Sequence, residues 1–208
     1  MAAEFDREQL LEAFDEIGRA AITARARLDI AVYGGSALML AGNFRFRTED
    51  VDIAEIGQPW PHWLSEAVGR IALQNGWSEA WFNEAVSCFL SPLANPVRDL
   101  VAFGSFPRAA DAVGLNILVP SAEYMLALKL MALRVSDFER GTQDMNDVAN
   151  LLRVLDITEI EPAIEILGRY FPQSATHADE QLLRATIHLV ARETVACAPL
   201  PSQRQLNG

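Results

Sequence analysis

The chain has 208 residues, half of them hydrophobic and 22% charged, with 28 acidic against 17 basic side chains and a formal net charge of -11. A chain of this length buries roughly 70% of the surface that its unfolded form exposes, and its two cysteines, Cys88 and Cys197, have no neighbours of metal-ligand spacing, so zinc-centred and disulfide-stapled folds are excluded. The negative charge repels nucleic acid and anionic lipid at long range, which weighs against a plain DNA- or RNA-binding module lacking a basic patch or a bridging cation.

The first element is an amphipathic helix between Phe5 and Arg27, where Leu10, Leu11, Phe14, Ile17, Ala21 and Ile22 recur at helical spacing. The amino terminus carries charges throughout and has no apolar signal-like stretch, and no later run is long enough to span a bilayer. A cytoplasmic setting with no membrane partner is the expectation. A strand follows from Asp29 through Ile30, Ala31, Val32 and Tyr33, and stops at Gly34-Gly35. Ser36 is placed to cap the apolar helix SALMLAG.

After NFRFR, the run TEDVDIAEI alternates acidic and apolar residues, so Asp50 and Asp52 project from one face of a strand. PHWLSEAVGRIALQNG reads as a helix with Pro61 in its first turn, and WFNEAVSCFL as a short helix or buried element. VRDLVAFG and LNILVP read as two further strands. The aromatic residues Trp60, Trp63, Trp77, Trp81 and Phe82 read as core rather than as a base-stacking platform. From Ser121 the pattern turns helical: SAEYMLALKLMALRVSDF with an approximate capping signal, TQDMNDVANLLRVL, TEIEPAIEILGRYF and HADEQLLRATIHLVARET, before a frayed tail.

The expected fold class is therefore α+β, with an αβ core over residues 1–120 that includes the amino-terminal helix, a helical half over 121–198 and a flexible tail over 199–208. The two halves are free to share one core. His62, His177 and His188 are scattered, and Ser36 has no histidine near it in sequence, so neither a triad nor a histidine metal site is indicated.

Two carboxylates at i and i+2 on a strand face are hard oxygen ligands suited to Mg²⁺ shared with phosphate. A glycine turn before a helix offers backbone N–H groups and a positive dipole end to an anion. Each feature alone has a plainer reading: a Gly-Gly turn is usually only a turn, and D-x-D on an edge strand usually blocks pairing. Strand, Gly34-Gly35-Ser36, helix and then Asp50-Val51-Asp52 on a neighbouring strand places both features at one end of a sheet.

The string G-G-S-A followed by Arg45/Arg47, Thr48 and the D-hydrophobic-D pair Asp50 and Asp52 resembles the signature of the DNA polymerase β-like nucleotidyltransferase superfamily. More narrowly, it resembles a bacterial branch that includes AbiEii- and MenT-type toxins. PSAEYMLALKLMALRVSDFERGTQDMNDVANLL is similar to the second motif of that branch, a lysine-bearing helix followed by one opening on paired aspartates. The resemblance covers about residues 29 to 170 and is loose from Gly57 to Gly114.

The resemblance implies a small polymerase β-like sheet and a metal-dependent transfer of a nucleoside monophosphate from a nucleoside triphosphate to an acceptor hydroxyl. Asp50 and Asp52 would hold Mg²⁺ or Mn²⁺ and, with Asp144 as base or metal partner, form the catalytic set. Gly34, Gly35, Ser36, Arg47, Thr48 and Lys129 would bind the nucleotide, and Asp147 is a weaker candidate for Asp144's role. The implied acceptor is a tRNA end, a protein or a small molecule, and a cognate antitoxin or toxin protein is an implied partner. A tRNA acceptor requires a basic rim, for which Arg45, Arg47, Lys129, Arg134 and Arg140 are available. The sequence departs from the superfamily in offering no clear third carboxylate on a later strand, only Asn116 or Asp99. That departure motivates a second reading, a catalytically silent member acting as a binding or regulatory partner.

Overall fold

The computed structural model describes residues 3–42, 44–54, 59–133, 138–176 and 184. Helix α1 (Arg7–Thr23) opens on a capping box, in which the Asp6 carboxylate accepts from the Gln9 N–H at 3.0 Å and the Gln9 side chain accepts from the Asp6 N–H. The two contacts satisfy donors that a helix start otherwise leaves open. Its buried stripe includes Leu10, Leu11, Phe14, Ile17 and Ala21, as the periodicity indicates.

A five-stranded mixed sheet with flanking helices forms the centre of an α+β fold. Strand β1 (Leu28–Tyr33) pairs antiparallel with β2 (Val51–Ala54) and parallel with β5 (Leu115–Pro120), while β3 (Phe82–Asn83) and β4 (Leu100–Phe106) lie at the edges. Ile30 to Tyr33 are all buried, as a central strand covered on both faces requires. The register fixes the geometry of the site: Tyr33 lies opposite Asp52 and Leu100 opposite Pro120. The carboxyl ends of β1 and β5 and the amino ends of β2 and β4 therefore share one sheet edge. Helices α2 (Gly34–Gly42) and α5 (Ala122–Leu133) depart from that edge.

Three sequence readings are refined. The strand expected at VRDLVAFG starts only at Leu100, because the Asn95 side chain accepts from the Val97 N–H at 3.0 Å and Pro96 opens a short helix, α4 (Pro96–Asp99). WFNEAVSCFL divides into β3, held by parallel pairing with β2, and a 3₁₀ turn over Ala85–Phe89. The acidic strand narrows to Val51–Ala54, so Asp50 stands just ahead of it, and Glu55 and Ile56 lie outside the described residues.

Helix α3 (His62–Asn75) packs on α1 and ends at Gly76, whose φ of 68° makes the left-handed cap. Trp77 and Trp81 are buried against Phe5, with ring centroids 4.4 and 6.0 Å away, which bears out their reading as core. In the helical half, Ser121 Oγ accepts from the Tyr124 N–H at 3.3 Å ahead of α5. Helices α6 (Phe138–Val154), α7 (Ile160–Tyr170) and α8 (Pro172–Ala175) follow. The helix expected over 177–194 and the tail over 199–208 lie outside the described residues, Arg184 excepted. The hydrophobic core crosses Pro120 without a break: Tyr33 meets Tyr124 edge to face, and Tyr124 stacks on Tyr170 with centroids 4.7 Å apart. Among the described residues no helix is long and apolar enough to cross a membrane.

Candidate active site

Gly34 follows the last residue of β1 with φ at +64°, a conformation that costs an L side chain about 1–2 kcal/mol. A Cβ built on it would lie 2.5 Å from Asp52 Oδ2. The missing side chain is thus space occupied by the Asp52 carboxylate. Gly34→Ala is expected to lower the urea midpoint and, by displacing Asp52, to weaken divalent-cation binding in a calorimetric titration. A Cβ on Gly35 would lie 2.7 Å from Arg45 Nη1, so the second glycine lets an arginine pass against the turn.

Ser36 does not cap α2, because the helix has already begun at Gly34. Its buried hydroxyl instead donates to the Asp50 carbonyl at 2.5 Å, and the Thr48 hydroxyl donates to the same oxygen at 3.2 Å. Both hydroxyls fix the backbone that carries the first aspartate. The Asp50 carboxylate is left exposed beside the partly buried Asp52. Burial, reinforced by the charge of Asp50, pushes the Asp52 carboxyl up to about 6, against the opposing pull of Lys129 and a hydrogen bond from Asn83. A carboxylate pair in which burial and mutual repulsion outweigh these partners is complementary to a cation.

Opposite the strand, Lys129 on α5 donates to Asp144 Oδ1 and lies 2.8 Å from Asp147 Oδ2, both carboxylates projecting from α6. Asp147 also accepts from Arg45, at 3.1 Å from Nε and 2.5 Å from Nη2. Two carboxylates and two cations separated by up to 102 residues in sequence therefore form one cluster across the two halves.

A cleft of about 570 Å³ opens between the sheet edge and these helices. Gly34, Asp52, Lys129 and Asp144 line its polar end, and Leu90, Met125, Leu128 and Phe171 line much of the remainder. The volume lies in the range of small-molecule sites, which combine apolar walls with a few polar groups.

The other candidates stand as follows. Arg47 turns outward, 3.9 Å from Glu4, whereas Arg45 turns inward. Asp99 is buried, accepting from the Asn95 N–H, the Tyr170 hydroxyl and Arg98, and does not line the cleft. Asn116 lies opposite Asp29 at the far end of β5 and hydrogen-bonds with it. Of the five basic residues considered for a rim, Arg45 and Lys129 are paired with carboxylates, and Arg134 and the side chain of Arg140 lie outside the described residues. Among the described residues no three His, Cys, Asp or Glu side chains converge as a ready metal centre. A cation here would rest on Asp50 and Asp52, whose hard oxygens and mutual repulsion fit one, with phosphate and water completing its shell. Asn83 and the inward role of Arg45 were not legible in the sequence, since nothing in the spacing distinguishes Arg45 from Arg47. No protein-family model matches the chain, and neither does any curated protein or solved structure.

Proposed function

We propose that the chain is a polymerase β-like nucleotidyltransferase that moves a nucleoside monophosphate from a nucleoside triphosphate to an acceptor hydroxyl. The observation that carries this reading is the convergence of Gly34, Asp52, Lys129 and Asp144 on one cleft. A sheet-edge glycine turn, a carboxylate pair and a lysine are the parts that phosphoryl-group transfer needs, because its catalysis is chiefly positioning and charge neutralisation.

In this reading the first-turn N–H groups of α2 and the Lys129 ammonium receive phosphate oxygens, and the apolar wall seats the base. Mg²⁺ or Mn²⁺ held by Asp50 and Asp52 would neutralise the triphosphate and favour ionisation of the acceptor hydroxyl. The hydroxyl oxygen forms its bond to the α-phosphorus as the bond to the β-phosphate oxygen breaks, and pyrophosphate leaves. Asp144 stands beside the phosphate-facing amine as the base that accepts the hydroxyl proton. Acceptors to be compared are tRNA, protein and small alcohols, and a cognate antitoxin or toxin is the partner to seek.

The test is to incubate the protein with Mg²⁺ or Mn²⁺, each α-labelled nucleoside triphosphate and total tRNA, cell protein or a panel of small alcohols. Label is expected to move into one acceptor class with the wild type and not with an Asp50→Asn/Asp52→Asn variant. Failure of every nucleotide to bind would overturn the reading and leave the silent-partner alternative.

A further inference from the structure

Lys129 is the chain's only lysine, against sixteen arginines. Its ammonium is mostly buried, with 13% of the side chain exposed, and lies 2.8 Å from one oxygen of each of two carboxylates. Those carboxylates differ. Asp144 is partly exposed and lines the cleft, whereas Asp147 is 3% exposed, does not line it, and binds Arg45 through both oxygens. Arg45 in turn lies against Gly35, where a Cβ would meet its Nη1 at 2.7 Å.

We propose that Asp147 is a positioning residue: it pins the single lysine at the polar end of the cleft and ties it, through Arg45, to Gly35 at the start of α2. This deepens the nucleotidyltransferase reading and rests on it for the ligand, a nucleotide's phosphates. Asp147 is thereby neither a base nor a metal ligand, since both its oxygens are already engaged by cations. An incoming phosphate displaces Asp144 from the amine and leaves the Asp147 contact in place, so the ammonium need not be reordered when the anion arrives. Asp147→Asn would remove the charge and turn an NH₂ group toward a cation. With the amide oxygen in the place of Oδ2, which Arg45 Nη2 and Lys129 both contact, the NH₂ faces Arg45 Nε, a donor against a donor.

The experiment measures two quantities on wild type, Asp147→Asn, Lys129→Gln and their double variant, with Tyr170→Phe as a destabilised variant that leaves the cluster intact. The first is the rate at which an amine-acylating reagent labels Lys129 in nucleotide-free protein, read by peptide mass spectrometry well below each variant's unfolding temperature. Held between two carboxylates with 13% of its side chain exposed, the amine is kept from the reagent, so releasing one of the two contacts in Asp147→Asn is expected to speed labelling about tenfold, the worth of one charge-assisted hydrogen bond. Tyr170→Phe is expected to leave the rate unchanged. The second is the affinity for Mg²⁺ with a nucleoside triphosphate: Asp147→Asn and Lys129→Gln are each expected to weaken it about tenfold, and the double variant no further. A labelling rate in Asp147→Asn within twofold of wild type, or fully additive losses of affinity, would overturn the positioning role. Absence of nucleotide binding by the wild type, with labelling accelerated in Asp147→Asn, would instead remove the nucleotidyltransferase reading and keep the pinned lysine.

Discussion

Asp52→Asn is expected to abolish cation-dependent nucleotide binding while making the nucleotide-free protein more stable at pH 7. The two effects share one cause. Burial first, and then the charge of Asp50, raises the folded-state carboxyl to about 6 from an ordinary value of 3.8. A group raised in the folded state contributes stability below its unfolded value, and that contribution disappears as pH rises through the folded value. At pH 7 the ionised Asp52 is therefore a liability, on the order of 2 kcal/mol after allowance for its partial exposure, and the neutral amide removes it. Cation binding reverses the sign, because it favours the ionised form. Affinity for Mg²⁺ or Mn²⁺ should fall as pH drops below about 6, with proton release on binding in that range. Differential scanning calorimetry from pH 4 to 8 with and without the cation tests both halves. A variant that loses stability at pH 7, or a wild type whose cation affinity is level from pH 7 to 5, would contradict this account. A site residue whose removal stabilises the free protein marks a place where stability was given up for binding.

What the sequence made legible follows from the range of the physics involved. The start of α5 just after Ser121 is a local feature and stands where local reasoning put it, whereas the paired aspartates and the glycines stand there only in part: Asp50 falls just ahead of β2, and α2 already begins at Gly34. Ser36 shows the limit. A serine at the head of a helix reads as a cap, yet its hydroxyl serves a carbonyl fourteen residues away. Likewise Arg45 and Arg47 are equivalent in sequence, and only the packing of α6 against the loop decides that Arg45 turns inward to Asp147. The β4 boundary moved for a local reason that periodicity does not see, the Asn95-Pro96 helix start. Lys129 and the aspartates of α6 were legible only through the family resemblance. Their shared cluster depends on how α5 and α6 cross, which no spacing within one helix encodes.

Asp99→Ala is expected to lower global stability by about 2–4 kcal/mol and to leave the cation titration unchanged. The carboxylate stands at the junction of α4 and β4, buried, where it accepts from the Asn95 N–H at 2.7 Å and the Tyr170 hydroxyl at 2.9 Å. Its partner Arg98 is more than half exposed, so solvent screens that pair, and on truncation Arg98 is rehydrated whereas the buried donors are not. The cost of truncation comes from the backbone donor and the phenol, which lose their acceptor in a place water does not reach. Tyr170 also stacks on Tyr124, whose hydroxyl accepts from the Ser91 N–H, so the loss falls on the joint between sheet and helices. The acid limb of the stability curve gives an independent check. Hydrogen bonds from Arg98 first, with those from Asn95 and Tyr170, hold the Asp99 carboxyl down to about 2 against the opposing effect of burial. A group depressed in the folded state contributes stability above its unfolded value and loses it as pH falls through the folded one. Wild type should therefore lose stability between pH 4 and 2 more steeply than Asp99→Ala, measured by urea denaturation across that range. If the alanine variant instead keeps its stability and loses the cation, Asp99 is the third metal carboxylate after all, and the junction is held by the tyrosine stack alone.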